Sequence, residues 1–244
     1  MSKDIFSFSA VTSTNDVTKK LLENRSNVIV TTKLQFKGRG RNNKRWEGDD
    51  EKNIYLSVGI EHKKESKEMS LLMLSYQCIG CLAVIQALEK IDSSLKLCLK
   101  YPNDVYAKPI NGEFKKIAGV LVENEFLGNQ LKSTILGVGV NIHQQYFEEN
   151  IVATSLFLLG VIVDKDNLLR DIISEIERIE NQPIKHIVEL WKEVLKIEGK
   201  KVIIVGQQGV WEIVGYNEFS MVIVKQNDVM KVISDGESIR YELD

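Results

Sequence analysis

The spacing of apolar side chains divides the chain into three stretches of different character. In the first, a short apolar run from Ile5 to Phe8 predicts a strand, and TSTND follows it. Ser13 or Thr14 can cap a helix there, with Val17, Leu21 and Leu22 as its buried stripe and an end near Asn24. VIVTT at 28–32 is β-branched and reads as a second strand. In NIYLSVGIE, Ile54, Leu56, Val58 and Ile60 recur at every second position, which predicts a strand with one face in a core. HKKESKE at 62–68 reads as a solvated turn with His62 exposed.

The second stretch begins with a helix from about Ser70 to Ile91 that is apolar on almost every side and must therefore be central. Leu95, Leu97 and Leu99 alternate into a strand that Pro102 ends, since proline has no N–H for a ladder. Asn111-Gly112 signals a hairpin, and KKIAGVLVENEF and LKSTILGVGVNI form two strands joined at Gly128-Asn129. Glycine weakens a strand, so Gly119, Gly137 and Gly139 on paired strands imply a ligand or another backbone packed close to them. Helical periodicity follows from Asp164 to Asn181 and from Ile184 to Leu195, with a break at Pro183. Past Gly199 the pattern becomes short and alternating: KVIIV, VWEIVGY, MVIVK and VMKVIS predict a small closed barrel. Two domains are expected, residues 1–196 and residues 197–244.

Charge narrows the function classes. A formal net charge of −2 provides no broad basic face of the kind nucleic-acid binding needs. Against that balance, Lys33, Lys37, Arg39, Arg41, Lys44 and Arg45 are concentrated in TKLQFKGRGRNNKRW, residues 32–46. Gly38 and Gly40 let this loop's backbone approach a ligand, and each arginine offers a planar fork of donors, so a small anion is the expected guest. The acidic residues Glu47, Asp49, Asp50 and Glu51 that follow would repel a phosphate backbone. Flexible glycines in a solvated charge run are the plain alternative. Cys78, Cys81 and Cys98 are an odd number and fit a reducing compartment. The first two have redox or zinc spacing but lie within LLMLSYQCIGCLAVIQAL, which favours core packing over metal. MSKDIFSFSA lacks a signal peptide's long apolar region, and no run is expected to approach membrane-spanning length, so a cytoplasmic protein is expected.

Four blocks occur in order: GRGRNNKRW, KYPND at 100–104, KKIAGVLVE at 115–123 and GVGVNI at 137–142. They resemble the signature blocks of biotin protein ligases, and STN at 13–15 and ATSL at 153–156 agree with that family. The resemblance implies an α+β fold, a mixed β-sheet flanked by helices of the class II synthetase-like type, with a small carboxy-terminal SH3-like barrel. It also implies ATP and biotin as substrates, Mg²⁺ on the phosphates, and a biotin carboxyl carrier domain as partner. Only about a dozen residues precede STN, where members that repress transcription carry a winged helix, so no DNA-binding role is expected. Pairing of two chains by sheet extension is left open.

Residue roles follow from the same resemblance. Lys116 would sit beside the carboxylate and the α-phosphate, and Arg41 would help hold the intermediate. Ser13, Thr14, Asn15 and Gln35 would serve biotin's polar ring, with Gly38, Arg39 and Gly40 lending mainly backbone, and Gly119 and Gly137 letting the ring lie flat on the sheet. Trp46 would stack on adenine, while Lys44, Asn103 and Asn141 would help hold the nucleotide. Asp104 would contact Mg²⁺ or orient the incoming lysine. Taken without the family, Lys116 is an ordinary exposed strand lysine, Trp46 a packing residue, and Asn103-Asp104 a turn after proline. Tyr101 stands where Trp is commoner, and Asn42-Asn43 where Arg-Gly is usual, which puts the loop's path in question. A lipoate or octanoate ligase shares the architecture but not the GRGR loop; an RNA-binding module using the basic loop is the rival from another class.

Overall fold

The computed structural model describes residues 3–46, 51–63, 68–233 and 235–243. A seven-stranded sheet contains β1 (Asp4–Val11), β2 (Asn27–Gln35), β3 (Asn53–Glu61), β4 (Lys96–Lys100), β5 (Asp104–Lys108), β6 (Lys115–Leu127) and β7 (Gln130–Asn141). Their order is β1-β2-β3-β7-β6-β5-β4, and the sheet is mixed: β1 pairs parallel with β2, and every other pair is antiparallel. The parallel pair needs a crossover, which α1 (Thr14–Leu21) supplies.

Helices cover both faces. Against one lies α2 (Met69–Ile91), whose Cys78, Cys81, Leu82, Val84 and Leu88 are fully or almost fully buried. Gly80 makes this close: a Cβ there would stand 2.8 Å from both Leu136 Cδ1 and Val120 Cγ1. Behind α2 pack α3 (Lys165–Glu180) and α4 (Ile184–Leu195). The carboxy-terminal strands β8 (Lys201–Ile204), β9 (Val210–Tyr216), β10 (Val222–Gln226), β11 (Val229–Ile233) and β12 (Ile239–Arg240) form a second, antiparallel sheet in the order β11-β10-β9-β8-β12. Its inward residues Val202, Ile204, Trp211, Ile213, Val222 and Val224 join the same buried cluster as α2.

Four local expectations are corrected. The buried side of α1 is mostly polar, consisting of Thr14, Asn15 and Thr18 with Leu22 just beyond, while Val17 and Leu21 are half-buried. That face turns toward the cleft described below, and Thr18 packs over Gly59, where a Cβ would lie 2.5 Å from its Cγ2. Strand β3 is buried on both faces, because α1 covers the side opposite the core. His62 is half-buried: its Nε2 is 2.9 Å from Thr134 Oγ1 and its ring meets Tyr76 edge-on at 5.8 Å. Finally, against the expectation that no run approaches membrane-spanning length, α2 has the length and apolar composition of a membrane-spanning helix, but most of it is buried inside the protein. Residues 64–67 of the expected turn, and Glu47, Asp49 and Asp50, lie outside the described residues.

Candidate functional site

The sheet face covered by α1 holds a cleft of about 770 Å³. One end is lined by Ser13, Thr14, Asn15 and Gln35. The glycine loop contributes Arg39, Gly40, Arg41, Lys44 and Trp46, and the sheet contributes Asn103, Asp104, Lys116, Gly119 and Gly137. Gly38 and Asn141 are not on this wall. Asn141 lines an adjoining hollow of about 620 Å³ that shares Gln35, Trp46 and Lys116 with the first.

Lys116 reaches the cleft through an irregularity in the ladder. Residues 116 and 119 are an odd number apart, so strict alternation would send them to opposite faces. Between β5 and β6 the register shifts, with Val105 opposite Ala118 but Tyr106 opposite Lys116. This bulge re-aims the lysine, and a Cβ at Gly119 would meet Lys116 Cε at 3.0 Å. The Lys116 ammonium lies 2.8 Å from Asp104 Oδ1 and 5.2 Å above the Trp46 ring. Arg41 Nη1 is 3.4 Å from Asn103 Oδ1, and its Nη2 is 3.4 Å from Asp235 Oδ1 at the second sheet. Asn103 is itself pinned on β6, donating to Val120 O at 2.7 Å. Arg41 and Lys116 thus share one hollow.

Two glycines make room for Trp46. Gly119 and Gly139 stand directly opposite each other on β6 and β7. A Cβ at Gly119 would come within 2.8 Å of Trp46 Cζ3, and one at Gly139 within 2.6 Å of Trp46 Cε2, so the indole lies flat on the backbone. Above Gly137 the space belongs to Asn15, whose Oδ1 would be 2.5 Å from a Cβ. The close approach implied by glycines in strands is therefore made by protein side chains.

The loop folds tightly on itself. Trp46 N donates to Gly38 O at 3.0 Å and Gly40 N to Lys44 O at 2.7 Å, so the Gly40 amide is engaged within the loop. Gly38 is required because a Cβ would strike the Trp46 carbonyl oxygen at 2.8 Å. Asn42 takes φ 52°, a left-handed conformation that Asn tolerates better than most residues.

Polar groups at the α1 end form a connected set. The Thr14 amide and hydroxyl both donate to Gln35 Oε1, at 2.8 and 3.1 Å. Ser57 Oγ is 2.6 Å from Asn15 Oδ1 and 2.7 Å from Thr14 Oγ1. Ser13 occupies the N-cap position of α1 without a side-chain capping bond. Arg39 is neutralised: it forks onto Glu123 at 3.0 to 3.1 Å and reaches Asp16 Oδ1 at 2.8 Å. The Asp16 hydrogen bond, opposed by burial and aided by Glu123, raises its pKa further.

Lys100, Ser57, Asp16 and Glu123 were missed by the sequence reading. Lys100 lines the cleft with its ammonium 5.1 Å over the Tyr106 ring. Burial lowers its pKa, against the raising effect of Asp104. The signal was available in KYPND, where Lys100 and Asp104 pair across the hairpin. A metal held by protein alone finds little here. Asp104 already faces Lys116, and no group of three or more His, Cys, Asp or Glu side chains is placed to hold an ion among the described residues.

Similarity to known proteins agrees with this architecture. The chain is 24% identical over 224 residues to the bifunctional ligase/repressor BirA of Escherichia coli, covering 88% of this chain and 67% of that protein. It is 30% identical over 161 residues to the biotin–[acetyl-CoA-carboxylase] ligase of Mycobacterium tuberculosis, covering 62% of this chain and 53% of that one. Among solved structures, biotin protein ligase from Aquifex aeolicus in complex with biotin and ATP superposes with a TM-score of 0.77 at 25% identity, over 99% of this chain and 100% of that chain. The family model "Biotin/lipoate A/B protein ligase family" matches residues 7–141. That match spans more than half of the sequence and contains the glycine loop, Lys116 and the paired strand glycines, so the chain belongs to the biotin/lipoate A/B protein ligase family.

Proposed function

We propose that this chain is a biotin protein ligase. It joins biotin to ATP and then passes the biotinyl group to a lysine of a biotin carboxyl carrier domain. In the first step a carboxylate oxygen of biotin attacks the α-phosphorus, the bond to the β-phosphate oxygen breaks, and pyrophosphate leaves. In the second, the lysine nitrogen attacks the carbonyl carbon of biotinyl-5′-AMP, AMP leaves, and the amine gives up a proton. The relatives' names and the biotin and ATP bound in the Aquifex aeolicus structure support this choice of substrates.

The observation that carries the reading is the convergence of Arg41 and Lys116 on one cleft. Carboxylate and triphosphate repel each other, so fixed cations where they meet position the reactants and stabilise developing charge. Lys116 is the candidate at the reacting centre, with Asp104 holding its ammonium in place. Arg41 would retain the adenylate under the loop. Trp46, supported by two glycines, offers an aromatic surface to the purine. Asn141 Oδ1 is buried in the adjoining hollow without a hydrogen-bond partner among the described residues, an acceptor suited to an exocyclic amine. The Thr14, Gln35 and Ser57 set would match the urea of biotin, and a buried urea needs matched partners. Among the described residues that line the cleft, Asp104 is the carboxylate that would meet Mg²⁺ carried on the phosphates or orient the incoming lysine. Three free cysteines suit a reducing, cytoplasmic setting. The division at residue 196 is proposed as catalytic part and small β unit.

ATP–pyrophosphate exchange tests this directly. Exchange should depend on biotin, and a dependence on lipoate or octanoate instead would transfer the chain to the sister activity. Lys116→Ala should lose about a hundred- to a thousandfold in exchange rate, the scale for removing a key charge-stabilising group. Arg41→Gly should keep part of the exchange and release biotinyl-5′-AMP into solution. Wild-type exchange rates in the Lys116 variant would remove that lysine from the chemistry.

A further inference from the structure

We propose that Glu123 is a positioning residue, which holds the glycine loop and the amino end of α1 in one arrangement and so preforms the end of the cleft that receives the biotin ring. This rests on the biotin ligase reading of the site. Glu123 ends the GVLVE segment of β6 and does not line the cleft itself. Its carboxylate accepts from Arg39 Nε and Nη2 at 3.0 to 3.1 Å and from Asn15 Nδ2 at 2.6 Å. Three separate parts of the chain therefore meet at one side chain: the loop through Arg39, α1 through Asn15, and the sheet through β6.

The chemistry at 123 calls for an acceptor-only group. An ionised carboxylate has room for about four donors, whereas a glutamine would turn an NH₂ toward either the guanidinium or the Asn15 amide. Glu123 also sets the sense of the Asn15 amide. With Nδ2 on the carboxylate, Oδ1 is left to accept from Ser57 Oγ at 2.6 Å, and Ser57 is 2.7 Å from Thr14 Oγ1. Turning the amide over would break that set. Arg39 Nη2 adds Asp16 on α1 at 2.8 Å, so the loop and helix are fixed to each other as well as to the strand.

Glu123→Gln, compared with wild type and with Arg39→Met alone and combined, tests the proposal. Trypsin cutting between Lys37 and Arg45 should be about tenfold faster in Glu123→Gln without ligand, since local opening sets access. In pyrophosphate exchange the KM for biotin should rise about tenfold, the size expected when a hydrogen bond to a charged group is lost, while the KM for ATP stays within about twofold. The double variant should be no worse than Arg39→Met, as expected of two residues acting as one unit. Unchanged loop cleavage with an unchanged biotin KM overturns the proposal. Parallel rises in both KM values with a lowered Tm also overturn it, because they mean general destabilisation. If wild type shows no biotin-dependent exchange, the ligase reading fails, and the tryptic comparison alone decides the role of Glu123.

Discussion

Residues 119 and 139 show how much chemistry depends on the absence of a side chain. Their glycines form an opposed pair on β6 and β7, and the Trp46 indole rests on them. A methyl group at 139 would sit 2.6 Å from Trp46 Cε2, and a rigid bicyclic ring can yield only by tilting or withdrawing. Overpacking of this kind costs about 1 to 3 kcal/mol. Gly139→Ala should therefore raise the KM for ATP about tenfold if that energy falls on the indole's pose. The biotin KM should move less, because Thr14 and Gln35 are untouched. Steady-state exchange with each substrate varied in turn checks this, and an unchanged ATP KM would mean that Trp46 does not carry the nucleotide.

At the scale of elements, α2 is fixed by a glycine in its middle. Gly80 lets the helix approach the sheet until a Cβ would lie 2.8 Å from Leu136 Cδ1 and from Val120 Cγ1. Gly80→Val should destabilise the protein by about 2 kcal/mol, seen as a lower urea midpoint with an unchanged slope. Unchanged stability would show that α2 can ride away from the sheet. The same scale separates what patterning reveals from what it does not. Most strand and helix spans through β11 agree with the alternations and helical periods read along the chain, but β5, directly after the Pro102 turn, is not read as a strand. The two-residue strand β12 has too little pattern to be seen. The polar stripe on α1 defeats a rule that equates burial with apolarity, because Thr14 and Asn15 find partners on Gln35, Ser57 and Glu123, while Thr18 is buried for its methyl, which packs over Gly59, and its Oγ1 has no hydrogen-bond partner among the described residues.

For the whole molecule, the joint between the two sheets and the seating of His62 matter most. Tyr101 N donates to Tyr241 Oη at 2.8 Å, and Gly236 packs against Pro102, so the KYPND turn is held between the sheets. His62 is half-buried on Tyr76, and burial, opposed by Glu180, lowers its pKa from 6.5. The unfolded chain therefore binds this proton more readily than the folded one. Its contribution to stability is complete above pH 6.5 and declines as pH falls below that value toward the lower folded pKa. Wild type should lose stability on acidification from about pH 7 to about 5.5, and His62→Gln should lose measurably less over that window. Denaturant titrations at each pH decide it, and identical pH profiles would mean that His62 is solvated.

The sequence by itself determined the order of elements, the placing of α2 in the core and the four blocks that mark the family, because local periodicity and glycine positions are written in adjacent residues. It also held the cations at 41 and 116, but not their meeting. Only the tertiary structure decided that a bulge between β5 and β6 turns Lys116 to the side of Gly119, that Arg39 is neutralised by Asp16 and Glu123, and that Trp46 and Asn15 fill the spaces above the strand glycines. The physical reason is common to all three. Each is a pairing between residues far apart in the chain, set by strand register and by which neighbour offers the opposite charge or the empty volume.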